Sequence, residues 1–198
     1  MLKITRFSIL AIFAGIQTHV GAAEVNLLPN GDFSAANQIA GWNAATIGHV
    51  LWVAEDADNN SGSGSIELDM DENNPTTPVT SACFTVVPGA AYSFSGQGRM
   101  LTSTFGLQVT CDAYADAVCT QAQYITTLSY LGLQALGNSW APLATASGSL
   151  PADAHSVQCN LAAEVSPSNA FTAVRVDNIY FKSAQPATPV RLQSFKVD

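Results

Sequence analysis

Apolar and polar side chains alternate along Ala91–Met100. Tyr92, Phe94, Gly96, Gly98 and Met100 fall on one side, and Ser93, Ser95, Gln97 and Arg99 on the other. Successive side chains of a strand point to opposite faces, so this period predicts a strand packed on one side only. Phe105–Cys111 repeats it, with Phe105, Leu107, Val109 and Cys111 against Gly106, Gln108 and Thr110. The first set in each run is the expected core. The second is an expected polar, open surface that carries Arg99. Further β-rich runs are expected at Asn26–Leu28, Val50–Ala54, Ser65–Met70, Ala82–Val87, Gln121–Thr127, Trp140–Ser149, Ser156–Glu164 and Phe171–Phe181. Gly, Pro, Asn and Ser separate them, as at Pro88-Gly89 and Pro151-Ala152-Asp153-Ala154, where turns are favoured. Leu128–Leu136 is open to a short helix, against Gly132 and Gly137. The pattern predicts an all-β fold, an antiparallel two-sheet β-sandwich or jelly roll.

The first residues do not share this pattern. Lys3 and Arg6 precede an apolar run from Phe7 to Ile16, which ends in Gly21, Ala22 and Ala23. A basic start, a short apolar middle and a small-residue exit predict a cleavable export signal over 1–23. The run is shorter than the roughly 20 residues that a membrane-spanning helix needs, so no stable membrane anchor is expected. A single domain is expected over 24–182. Ser183–Pro189 reads as a linker, and Val190–Asp198 is either a last edge strand or a stub, giving a linker-like extension over 183–198.

Charge narrows the partners. The chain carries 7 basic and 15 acidic side chains, a formal net charge of −8. Lys3 and Arg6 leave with the leader, which makes the remainder more acidic still. Nucleic acid is not an expected partner, because phosphate binding needs a basic surface. Four cysteines, Cys83, Cys111, Cys119 and Cys159, follow the leader. An even count in an exported chain predicts two disulfides, with three possible pairings. Cys111 and Cys119 flank Asp112–Asp116, which reads as a hairpin tip. That favours Cys111–Cys119 and leaves Cys83–Cys159.

Several landmarks then follow in order: Asn26–Phe33 with Trp42, Gly62–Leu68, Cys83–Phe94, Asn138–Trp140 leading to Leu150–Ala154, and Val174–Phe181. Together they resemble the β-jelly-roll carbohydrate-binding modules of the galactose-binding-like group. The resemblance implies a glycan or polysaccharide partner and a structural calcium near the first and last strands. Asp177 matches the acidic position of the closing strand. Ser34 stands where many relatives have Glu, and Asn178 where they have a second acid, so Asp32 is the candidate to complete the site with Asp177.

Chemistry of other kinds has little support. No GxSxG or HExxH occurs, and His49 and His155 are the only histidines after the leader. Asp56, Asp58, Asn60 and Glu67 fall at EF-hand spacing, but Ser61 occupies the glycine position and strand-like sequence flanks it, so a turn-rich loop is the expected reading. No catalytic residues are assigned. Sugars offer an apolar face and a rim of hydroxyls, which aromatic rings and polar side chains recognise. The expected ligand platform is Trp52, Arg99, Gln108 and Tyr114 on the concave sheet face. The sequence therefore predicts a secreted or periplasmic, non-catalytic carbohydrate-binding protein. A structural or adhesive surface protein is the alternative, and a polysaccharide-active enzyme is less favoured.

Overall fold

The computed structural model describes residues 24–44, 49–71, 76–101, 106–164 and 171–184. The expected leader, Phe105 and most of the expected extension lie outside them. The strands are β1 (Glu24–Asn26), β2 (Trp42–Ala44), β3 (Val50–Val53), β4 (Ser65–Asp71), β5 (Thr76–Ser81), β6 (Phe84–Thr85), β7 (Ala91–Met100), β8 (Gly106–Tyr114), β9 (Tyr124–Ala135), β10 (Ala141–Pro142), β11 (Ala146–Ser149), β12 (Ser156–Glu164) and β13 (Phe171–Ala184). They form two antiparallel sheets. One runs β10-β7-β13-β4-β3, with β1 joined to β13 and β11 to β7; the other runs β2-β5-β12-β8-β9, with β6 joined to β12. The fold is the predicted all-β sandwich.

Between the sheets lies one apolar core. Phe94 and Phe181 from the first sheet meet Val109, Val157 and Leu161 from the second, all essentially inaccessible to water. The aromatic side chains Tyr92, Phe94 and Phe181 lie nearly parallel, with interplanar angles of 10–14°. Offset stacking of this kind adds to the area buried. The alternation predicted for β7 is seen except at Ser95: Tyr92, Phe94, Gly96, Gly98 and Met100 are buried and Ser93, Gln97 and Arg99 partly exposed, but Ser95 is buried, where its hydroxyl donates to the Leu143 carbonyl.

Two local expectations are corrected. Leu128–Leu136 is not helical; β9 covers it through Ala135, because β8 supplies a partner for its backbone. A single strand over Trp140–Ser149 gives way to β10 and β11, both paired to β7 and separated by three residues.

The disulfides also differ from expectation. Cys111 pairs with Cys159, and Cys83 with Cys119. The physical reason is register. Strand β8 continues past Cys111 to Tyr114, so no hairpin tip follows Cys111. Cys111 and Cys159 are directly opposed on β8 and β12, both facing the core, with Cα atoms 4.0 Å apart. Cys119 sits beyond the end of β8, in the loop that Cys83 reaches from just before β6.

The opening segment is stitched to the closing strand. The Asn26 side chain accepts from the Phe181 amide at 2.9 Å, and the Leu27 amide donates to the Phe181 carbonyl at 2.8 Å. The Ile179 amide donates to the Gly31 carbonyl at 2.8 Å. Asn30, at φ 47°, closes the following turn by donating to the Gln38 and Ala40 carbonyls. Positive φ favours Asn over larger side chains. Phe33 is thereby driven against Trp42, with ring centroids 5.5 Å apart.

Candidate functional site

The outward face of the β2-β5-β12-β8-β9 sheet is polar and in register. Asn43, Thr80, Asn160 and Thr110 are successive cross-strand partners on β2, β5, β12 and β8, and the register continues to Tyr130 on β9. At the usual strand spacing this row crosses about 20 Å. On one side of it lie Gln158, Asp112 and Thr127, and on the other Pro78, Ala162 and Gln108. Alternation explains the arrangement: Val157, Cys159, Leu161, Val109 and Ala113 point inward and are buried, while Gln158, Asn160, Gln108, Thr110 and Asp112 are partly exposed.

Hydrogen bonds fix several of these groups. Thr80 donates to the Asn160 side-chain carbonyl at 2.9 Å. Thr127 donates to Asp112 at 2.6 Å, and Tyr124 shares a 3.0 Å hydrogen bond with Thr127. Gln158 donates to the Ser81 carbonyl at 2.9 Å. The Tyr124 ring is 43% exposed, which leaves an aromatic surface at the end of the polar strip. Arg99, Arg175 and Lys182, the cations among the described residues, all stand on β7 and β13 of the other sheet.

The predicted platform does not form one surface. Gln108 lies on the polar strip, but Arg99 and Trp52 belong to the other sheet. Trp52 is a strut: its indole N–H donates to the Phe33 carbonyl at 2.8 Å, and its ring fills the space where Gly64 lacks a side chain. Tyr114 is only 4% exposed. It lies against Tyr124, with ring centroids 6.0 Å apart, at a register shift between Ala113 and Tyr114 that breaks simple alternation. Burial pushes its phenol above the usual value, helped by Asp112. Tyr124 is the exposed ring that sequence reasoning passed over; its place opposite Tyr114 in the β8–β9 ladder is the signal.

Arg99 is held in an ion-pair chain. Glu55 accepts from Arg99 at 2.5 Å and also from Arg175, which in turn donates to Glu67 at 2.6 Å. The Arg99 guanidinium lies 5.4 Å from the Trp140 ring centroid, within cation–π range.

The two residues expected to hold calcium stand in different surroundings. Asp32 is exposed, whereas Asp177 is fully buried and accepts from the Ala57 amide at 2.8 Å and the Asn178 amide at 2.6 Å. Among the described residues no group of three or more His, Cys, Asp or Glu side chains is arranged to hold a metal. Burial pushes Asp177 up to about 6, against those two donors and with added repulsion from Asp56 and Asp58. The EF-hand spacing has another use. Asp56 accepts from the Asp58 and Asn60 amides at 2.8 Å and from the Ser63 hydroxyl at 2.6 Å. Burial raises Asp56, but these donors outweigh it and hold its carboxyl below the ordinary value. Glu67 is committed to Arg175.

No family model matches the sequence, and no curated protein matches it. Solved structures do. The bacteriophage CBA120 tailspike protein 4 enzymatically active domain superposes with a TM-score of 0.61 at 14% identity, over 80% of this chain but only 21% of that one. TmCBM61, in complex with β-1,4-galactotriose, gives 0.54 at 11% identity, over 79% of this chain and 97% of that one. The CBM22-1 xylan-binding domain of Paenibacillus barcinonensis Xyn10C gives 0.53 at 16% identity, over 84% and 99%. The fold is a β-jelly roll like that of these carbohydrate-binding modules. The two carbohydrate-binding-module structures are covered almost end to end, whereas the chain spans about a fifth of the tailspike.

Proposed function

We propose that the protein is an exported, non-catalytic glycan-binding module that holds a neutral polysaccharide chain along the outward face of the β2-β5-β12-β8-β9 sheet. The row of hydroxyls and amides through Thr80, Asn160 and Thr110 carries the reading. Such groups both donate and accept, which suits the hydroxyl rim of a sugar. Tyr124 offers an apolar ring for a pyranose face at the end of the strip. Asp112 lies on the strip and the cations among the described residues stand on the other sheet, which favours a neutral glycan over an anionic one. Two neighbouring structures support the class of ligand: one contains galactotriose and the other is a xylan-binding domain. Export is supported by the two disulfides, which persist in oxidising compartments.

Affinity electrophoresis through gels containing β-1,4-galactan, xylan, mannan or β-glucan tests the proposal. Retardation by at least one of them, and its loss in Tyr124→Ala and Asn160→Ala, is the expected result. Unchanged mobility in every gel would overturn it.

A further inference from the structure

A second concave site lies on the opposite layer of the sandwich. It is a cleft of about 480 Å³ between the loop after β3 and the β10–β11 connection, with the closing strand as its floor. Asp58, Gln97, Thr145 and Asn178 supply polar groups, and Tyr180 and Leu143 supply apolar surface. None of the expected platform residues lines it.

Both walls are fastened before any ligand arrives. On one side the Ser95 hydroxyl donates to the Leu143 carbonyl and the Leu143 amide donates to the Gly96 carbonyl, each at 2.9 Å. On the other, Asn178 donates to Asp58 at 2.9 Å, Gln97 reaches Asp58 at 3.4 Å, and the Ala57 amide is tied to Asp177. The floor is a β-bulge: the register of β13 against β7 shifts between Asp177 and Tyr180, and Asn178 sits at φ 50°. Bulges re-aim side chains, and this one turns the Asn178 amide and the Tyr180 ring to the same cleft. Gly96 lies beneath it, and a β-carbon there would press on the end of the Ile179 side chain, which would have to shift.

We infer that this cleft is a second saccharide site, specific for a short neutral segment such as a chain end or branch. The inference rests on the glycan-binding reading given above. The volume lies in the ordinary range for small-ligand sites, which runs from about 300 to 1,000 Å³. A preformed cleft loses little entropy on binding, which favours a small ligand with few contacts. Asp58 and Lys182, whose ammonium lies 4.5 Å from the Tyr180 ring centroid, put one charge of each sign beside the cleft, which favours a neutral ligand. The Asp58 oxygens already take donors from Asn178 and Gln97, so Asp58 serves as a held hydrogen-bond acceptor. Amide, hydroxyl and carboxylate groups beside an aromatic ring are the mixture that a pyranose needs. The strip and the cleft are on opposite layers, so one short oligosaccharide cannot occupy both.

Calorimetric titration with a panel of neutral galacto-, xylo-, gluco- and manno-oligosaccharides tests this. Two equivalents per protein are expected for the preferred sugar. Tyr180→Ala and Gln97→Ala should each weaken one of the two by about tenfold, equivalent to one ordinary contact. Tyr124→Ala should weaken the other and leave the cleft unchanged. Binding lost in Tyr180→Ala and Gln97→Ala but untouched by Tyr124→Ala would remove the strip and keep the cleft. One equivalent that responds to Tyr124→Ala alone, or no binding by any sugar, would overturn the cleft.

Discussion

Gly31 stands directly against the carbonyl of Ile179. A β-carbon on Gly31 would collide with that oxygen, while the Gly31 carbonyl accepts from the Ile179 amide at 2.8 Å. The opening turn and the closing strand can meet this closely only because position 31 lacks a side chain. Gly31→Ala should therefore cost about 1–3 kcal/mol, the usual range for overpacking a tight site. Gly137→Ala, where nothing lies within 4 Å, should be nearly neutral. Urea denaturation of the two variants checks this.

Non-reducing peptide mapping should recover Cys83 joined to Cys119 and Cys111 joined to Cys159. Replacing both Cys111 and Cys159 by Ala should remove roughly 3–4 kcal/mol, as expected for releasing a loop of this size from the unfolded chain. Recovery of a Cys111–Cys119 peptide would contradict the register of β8 with β12.

Asp177 gives a pH dependence of defined sign. Its folded pKa is about 6, above the 3.8 of the unfolded chain, so folding takes up a proton between these values. Stability is then greatest near pH 4 and falls as pH rises through about 6, by roughly 2–3 kcal/mol at most. Asp69, also raised by burial and by Glu67, contributes in the same direction. Asp56, which is lowered, acts oppositely, and its stabilisation is lost only at more acid pH. Thermal denaturation from pH 4.5 to 7.5 should show a falling midpoint, and Asp177→Asn should flatten most of the slope.

Glu55 joins Arg99 to Arg175. Glu55→Gln leaves two guanidinium groups without their shared carboxylate. Because Glu55 is 40% exposed, the loss should be modest, about 1 kcal/mol, and smaller in 0.5 M salt, where screening shortens the range of the interaction. Denaturant midpoints at two ionic strengths measure it.

The sandwich was legible because most of β7 and β8 alternates, and alternation fixes which face is core; it breaks at Ser95, at Tyr114 and at the β13 bulge. What it could not reveal was which strands lie side by side. Gln108 and Arg99 both read as outward-facing, yet β8 and β7 belong to different sheets, so the predicted platform came apart. Trp52 read as available because nothing in its neighbourhood shows that the Phe33 carbonyl lies within reach of its indole. The cysteine pairing failed similarly: proximity in sequence favoured Cys119 for Cys111, whereas cross-strand register selected Cys159. The cleft beside Tyr180 depends on a bulge and two loops distant in sequence, for which alternation carries no signal.

Side-chain amide resonances, followed during titration with the polysaccharide that retards the protein, test the central claim most directly. Gln108, Gln158 and Asn160 should shift together and saturate, with Asn37 unmoved on its loop. A retained polysaccharide that leaves Gln108, Gln158 and Asn160 unshifted would contradict a glycan lying along that sheet.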